Sequence, residues 1–129
     1  MPRQRSIVST EKAPAAVGPY SQAVRIGDLV YTAGQIPLDP ATGKMVSSVI
    51  GAQTRQVLTN LSAVLEAAGS GLDSIVKMTV FMTDLGQFAQ MNAVYAEFFP
   101  GEPPARSAVE VVALPLGAMI EMEAVAVGG

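Results

Sequence analysis

The sequence predicts an α+β fold in which two helices cover one face of a sheet, and three observations carry that prediction. Short β-prone runs flank two segments whose apolar residues recur at three- and four-residue steps. Turn formers separate the runs, with no internal repeat and no linker. Two helices cannot cover both faces of a sheet built from these strands, so they most economically lie on one. The predicted order is β-β-α-β-α-β-β, in a single domain over residues 1–129.

Ala23-Val24-Arg25-Ile26 and Leu29-Val30-Tyr31-Thr32-Ala33 read as a hairpin, because Gly27-Asp28 is a two-residue spacer of the kind that closes one. Gly34-Gln35-Ile36-Pro37 ends the second run, and Asp39-Pro40-Ala41-Thr42-Gly43 is a loop of turn formers. Over residues 50–68 the period changes. Val57, Leu61, Val64, Leu65 and Ala68 line one side of an amphipathic helix that Gly69-Ser70-Gly71 stops. Residues 73–82 read as a strand, with Ile75, Lys77, Thr79 and Phe81 on one side and Val76, Met78, Val80 and Met82 on the other. Thr83 or Asp84 can cap a second helix, whose apolar stripe is Leu85, Phe88, Met91, Tyr95 and Phe98. Pro100-Gly101 ends it, and strands follow over 105–112 and 119–127. Apolar residues also occupy the sheet face away from the helices, so that face needs a partner.

Composition points the same way. Half of the residues (50%) are hydrophobic and only 15% are charged, against about 25% charged in a typical soluble domain. So little charge on a chain of 129 residues leaves apolar surface, and burial between subunits accounts for it better than a greasy exposed one. With no cysteine there is no disulfide framework and no thiolate chemistry. With no histidine, the most usual general base, the commonest metal ligand and any Ser-His-Asp or Cys-His triad are all absent. A net charge of −3 suggests no basic face for nucleic acid. The N-terminus, Met1-Pro2-Arg3-Gln4-Arg5, has no apolar run behind its arginines, and no stretch reaches the ~18–20 apolar residues needed to span a bilayer. A cytoplasmic protein is the expectation.

The acid-base groups left are Asp, Glu, Tyr and Lys. The informative charges sit inside apolar strands. Arg106 begins one strand; Glu121 and Glu123, two apart, share a face of the last. If the strands over 105–112 and 119–127 form a hairpin, Arg106 lies near the Glu121–Glu123 end of its neighbour. Such a pair is either a structural salt bridge or a small anion site, in which the planar arginine fork takes a carboxylate and a glutamate activates a water. Gly34 is a turn residue or a place where a ligand approaches the backbone. Tyr20 orients a ligand or packs. Asn92 faces solvent or bridges to a polar site. No Walker-type phosphate loop and no metal constellation is present, so no cofactor is expected.

Together these segments resemble the RidA (YjgF) family in order and spacing, over about residues 6–127. The resemblance is carried by Gly18-Pro19-Tyr20-Ser21-Gln22-Ala23, Tyr31-Thr32-Ala33-Gly34-Gln35-Ile36-Pro37, Val76-Lys77-Met78-Thr79-Val80-Phe81-Met82-Thr83-Asp84 and Asn92-Ala93-Val94-Tyr95. Its most specific part is Pro104-Ala105-Arg106-Ser107 followed by Ile120-Glu121-Met122-Glu123-Ala124. It implies a chorismate-mutase-like homotrimer, with helices outside a central sheet barrel and active sites in clefts between subunits. The implied activity is hydrolysis of 2-imino acids and their enamine tautomers, such as 2-iminobutanoate and 2-iminopropanoate, to 2-oxo acids and ammonia. Arg106 is then implied to bind the substrate carboxylate, Gly34 to contact it through its backbone, and Glu121 to position the attacking water and move a proton. Tyr20 and Asn92 are implied to shape the pocket.

Two positions depart from the family pattern. Ala108 stands where many members have Cys or Thr, so only its backbone carbonyl is available to a water. Leu116 stands where Lys or Arg is frequent. The alternative function is a non-catalytic trimer of the same fold that binds small carboxylic acids.

Overall fold

The computed structural model describes residues 4–128; the first three residues of the N-terminal segment considered above, and Gly129, lie outside the described residues. The elements run β1 (Arg5–Val8), β2 (Ala23–Ile26), β3 (Leu29–Thr32), α1 (Ile50–Ala67), β4 (Ile75–Met82), α2 (Phe88–Phe98), β5 (Ala105–Glu110) and β6 (Ile120–Val127). This is the mixed α+β architecture expected, with one further strand, β1. Its four residues are mostly exposed and carry no periodic signal of their own. What makes them a strand is antiparallel pairing to β2, Ser6 opposite Arg25 and Ile7 opposite Val24.

One six-stranded sheet has the order β1-β2-β3-β6-β4-β5. The hairpin closes as expected, with Gly27 in the left-handed region at φ 57. β6 lies between β3 and β4, antiparallel to both, while β5 runs parallel to β4 at the edge. The hairpin expected between the last two strands is therefore absent. The parallel crossover through α2 puts β5 on one side of β4, and the turn at Pro115–Gly117 leads β6 onto the other. That central position buries Ile120, Met122, Ala124 and Ala126, more apolar surface than an outer place beyond β5 would remove from water.

Register assigns the faces. Met78, Val80 and Met82 of β4 are fully buried beneath the helices, together with Val57, Leu61, Val64 and Leu65 of α1 and Met91 of α2. A bulge between Ile75 and Lys77 inverts the alternation at the start of β4. Ile75 is consequently buried, and Val76, expected on the covered side, is exposed. The opposite face carries Leu29 and Tyr31, Thr79 and Phe81, Val125 and Val127, and no element among the described residues covers it.

The helix ends follow their chemistry. After α1, Gly69 takes φ 79 and a Schellman motif forms: Ser70 N donates to Leu65 O at 2.8 Å and Gly69 N to Glu66 O at 3.0 Å. Asp84, one of the two expected caps, accepts from Gly86 N at 2.8 Å and opens the short turn that leads into α2. Two buried amides on α1 tie down the loops around the sheet. Asn60 donates to Leu38 O at 2.9 Å, and Gln53 accepts from Met119 N at 2.9 Å.

Candidate active site

The end of β3 and the start of β6 meet the loop before β2 around an open cavity of about 730 Å³. Tyr20, Gly34 and Glu121 line it, with an apolar wall that includes Val17, Pro115 and Leu116. Gln35 bridges to Met122 by paired backbone hydrogen bonds of 2.8 and 3.2 Å, which fixes Gly34 against the first turn of β6. A side chain at Gly34 would displace the Glu121 carboxylate. A Cβ built there overlaps Glu121 Oε2 and comes within 2.7 Å of its Cδ. Glycine keeps that carboxylate in place by allowing the close approach, not by its backbone angles.

The Glu121 carboxyl is half-buried and makes no ion pair among the described residues. Burial raises its pKa from the ordinary 4.5, and the charge of Glu123 on the same face raises it further. The Tyr20 ring is exposed at the rim, and its hydroxyl accepts a long hydrogen bond from Val17 N at 3.4 Å. A neighbouring cavity of about 570 Å³ shares Tyr20 but is built on Gln22 and residues 7–16. The Gln22 amide is already bonded to Thr10 N, Thr10 O and Pro14 O, so it offers a ligand little.

Arg106 is elsewhere. In β5 it lies opposite Met78, and Ala108 lies opposite Val80, so both face the helices. Glu121 lies opposite Phe81 and Glu123 opposite Thr79, on the uncovered face. The expected proximity of Arg106 to the Glu121–Glu123 end is thus not found within one chain: β4 separates the strands, and the side chains project from opposite faces. Nor is there a salt bridge between them; Arg55–Glu97, at 3.0 Å between the two helices, is the ion pair found among the described residues.

Arg106 instead docks on α2. Its Nη1 donates to Asn92 Oδ1 at 2.7 Å, so Asn92 faces the arginine and not only solvent. The guanidinium carbon stands 4.7 Å from the Tyr95 ring centroid and 5.3 Å from that of Phe88. The Tyr95 hydroxyl is buried and has no hydrogen-bond partner; Arg106 lies beside it without reaching hydrogen-bond geometry. Burial raises its pKa, and the arginine charge works against that rise.

The sequence-derived site therefore falls into two groups, Tyr20, Gly34 and Glu121 at the cavity, and Arg106, Asn92 and Ala108 at the β5 edge. Phe88 and Tyr95 were expected only as apolar stripe. Their spacing around Asn92, four residues before and three after, does place all three on one helix face and carried the signal. Among the described residues no cluster of His, Cys, Asp or Glu could hold a metal ion.

Residues 10–128 match the family model described as endoribonuclease L-PSP. A RutC family protein of Pyrococcus abyssi is 51% identical over 122 residues, covering 95% of this chain and 96% of its own. The 2-iminobutanoate/2-iminopropanoate deaminase of Mus musculus is 45% identical over 125 residues, covering 97% of this chain and 93% of its own. The crystal structure of TdcF from E. coli with bound serine has a TM-score of 0.92 at 44% identity, covering 96% of this chain and 99% of that one.

Proposed function

Because the chain belongs to the RidA family, we propose that it hydrolyses 2-imino acids and their enamine tautomers, 2-iminobutanoate and 2-iminopropanoate among them, to 2-oxo acids and ammonia. The observation that carries this reading is the half-buried Glu121 carboxyl, in a cavity and without an ion pair among the described residues, its proton affinity raised by burial. A carboxylate so placed is a stronger base than an exposed one and takes a proton from water more readily, while its acid form still hands that proton on to nitrogen. In the proposed reaction a water adds to the carbon of the C=N bond. Glu121 takes one water proton and passes it to nitrogen, giving a carbinolamine; it then relays the hydroxyl proton to the same nitrogen, so that the C–N bond breaks and ammonia leaves as the carbonyl forms. Gly34 leaves the room in which the reacting carbon meets Glu121, and Tyr20 bounds it.

No cation lines that cavity, yet the substrate carries a carboxylate. Arg106, held by Asn92 at the edge strand, supplies the fork once a second copy brings its β5 edge to the cavity. Hence a homotrimer with sites between subunits, in which the uncovered sheet faces pack together. The Ala108 carbonyl remains available to a water at that edge. A nuclease role fits poorly with a chain of net charge −3.

A second reading, carboxylate binding without catalysis, has support in the serine bound to the E. coli relative. Glu121→Gln separates the two, assayed on imines generated in situ by an amino-acid dehydratase. The enzyme reading expects an assembled protein that binds a 2-oxo acid but loses turnover by ~10²-fold or more, while Glu123→Gln keeps most of it. Full turnover in Glu121→Gln rejects the carboxylate mechanism. Arg106→Lys keeps charge but loses the fork and is expected to weaken binding clearly, with Arg106→Ala worse.

A further inference from the structure

Arg106 has donors to spare. Its Nη1 is bonded to Asn92 at 2.7 Å, while its Nε and Nη2 make no hydrogen bond among the described residues. Those two N–H groups share one edge of the guanidinium, the edge that meets a carboxylate with two parallel bonds. An arginine side chain is long and flexible, and one hydrogen bond lets it pivot. The second constraint is aromatic. Tyr95 is 6% exposed, so its ring belongs to the core. The guanidinium carbon lies over that ring at 4.7 Å, nearer than over Phe88 at 5.3 Å. A cation within ~6 Å of a ring centroid is held to the ring face. Phe99 in turn packs on Tyr95, centroid to centroid 4.6 Å, which keeps the ring from yielding.

We propose that Tyr95 is a positioning residue for Arg106: its buried ring sets the plane of the guanidinium, Asn92 sets the rotation within that plane, and the Nε–Nη2 edge is left facing outward for a ligand carboxylate. This rests on Arg106 being the carboxylate anchor of the proposed reaction. The hydroxyl is not part of the device, since it reaches no hydrogen-bond geometry. Ring and hydroxyl are therefore separable. Tyr95→Phe keeps the ring face, and Tyr95→Leu removes it.

The test is a cycle read by pyruvate binding and by steady-state kinetics on the assembled protein. Tyr95→Leu is expected to raise both Kd for pyruvate and KM for the imine by about fivefold or more, with kcat nearly kept. Tyr95→Phe restores wild-type Kd and KM and, having no buried unpaired hydroxyl, melts higher. On an Arg106→Ala background, Tyr95→Leu adds no further loss. A Tyr95→Leu protein that binds pyruvate like wild type overturns the proposal, as does a loss that persists without Arg106. A Tyr95→Phe protein impaired like Tyr95→Leu overturns the ring assignment. If Tyr95→Leu does not fold, the wild-type protein still decides through its Arg106 Nε–H resonance. A ring-current-shifted signal supports the stacking, and a signal at the freely rotating position overturns it. Should Arg106→Ala alone leave pyruvate binding intact, the anchor role fails first; if it weakens binding while Tyr95→Leu does not, only the positioning role fails.

Discussion

At Gly34 the missing side chain is what gives the Glu121 carboxylate its place. Gly34→Ala is expected to fold, because the overlapping atoms are the far end of a movable side chain. The carboxylate must then swing away, and turnover falls by more than about tenfold; a 1 Å misplacement is enough for that. Steady-state kinetics on the assembled variant check it. Glu121 also has a signature in stability. Its native pKa is raised above 4.5 by burial first and by Glu123 second. The native state thus prefers the protonated group, so the stabilisation is full at acid pH and is lost as pH rises through the raised value. Glu121→Gln mimics the protonated form. Its Tm is expected to exceed that of wild type at pH 7, with the gap closing by about pH 4. A constant gap across that range counts against a raised pKa.

At the scale of elements, local signals were legible, the β2–β3 hairpin among them, and long-range pairings were not. The end of α1 was readable because Gly69 supplies a backbone angle that other residues resist. Gly69→Ala, forced to φ 79, is expected to cost about 1–2 kcal/mol in urea unfolding. The covered face of β4 was readable from Met78, Val80 and Met82, but the bulge at Val76 was not, since an extra residue in a ladder leaves no trace in an alternating pattern. Likewise Arg106 and Glu121 could be named as candidates from charge in apolar strands. Their relation could not: whether β6 pairs with β5 or passes to the far side of β4 depends on which edge buries more, a long-range competition that adjacency in sequence misstates. β1 was missed for the same reason, as a strand made by its neighbour.

For the molecule as a whole, an uncovered sheet face with Tyr31 47% exposed and Val109 and Val127 each 43% exposed calls for a partner of like shape. Further copies of the same chain, joined head to tail in a closed ring, are the economical answer. Light scattering at micromolar concentration is expected to give three times 13.4 kDa, about 40 kDa. A monomer would leave Arg106 and Glu121 without a shared site and would reject the proposed catalysis together with the trimer. The central place of β6 has a kinetic consequence as well. β3 and β4, separated by α1, have no direct ladder and meet only through a strand that follows every other element. The contacts that close the sheet are therefore among the longest in sequence, and loop-closure entropy delays them. During synthesis the chain must keep two unpaired strand edges from self-association until β6 arrives. Its brief hazard is then aggregation of nascent chains, and stop-flow refolding is expected to be slow and sensitive to protein concentration.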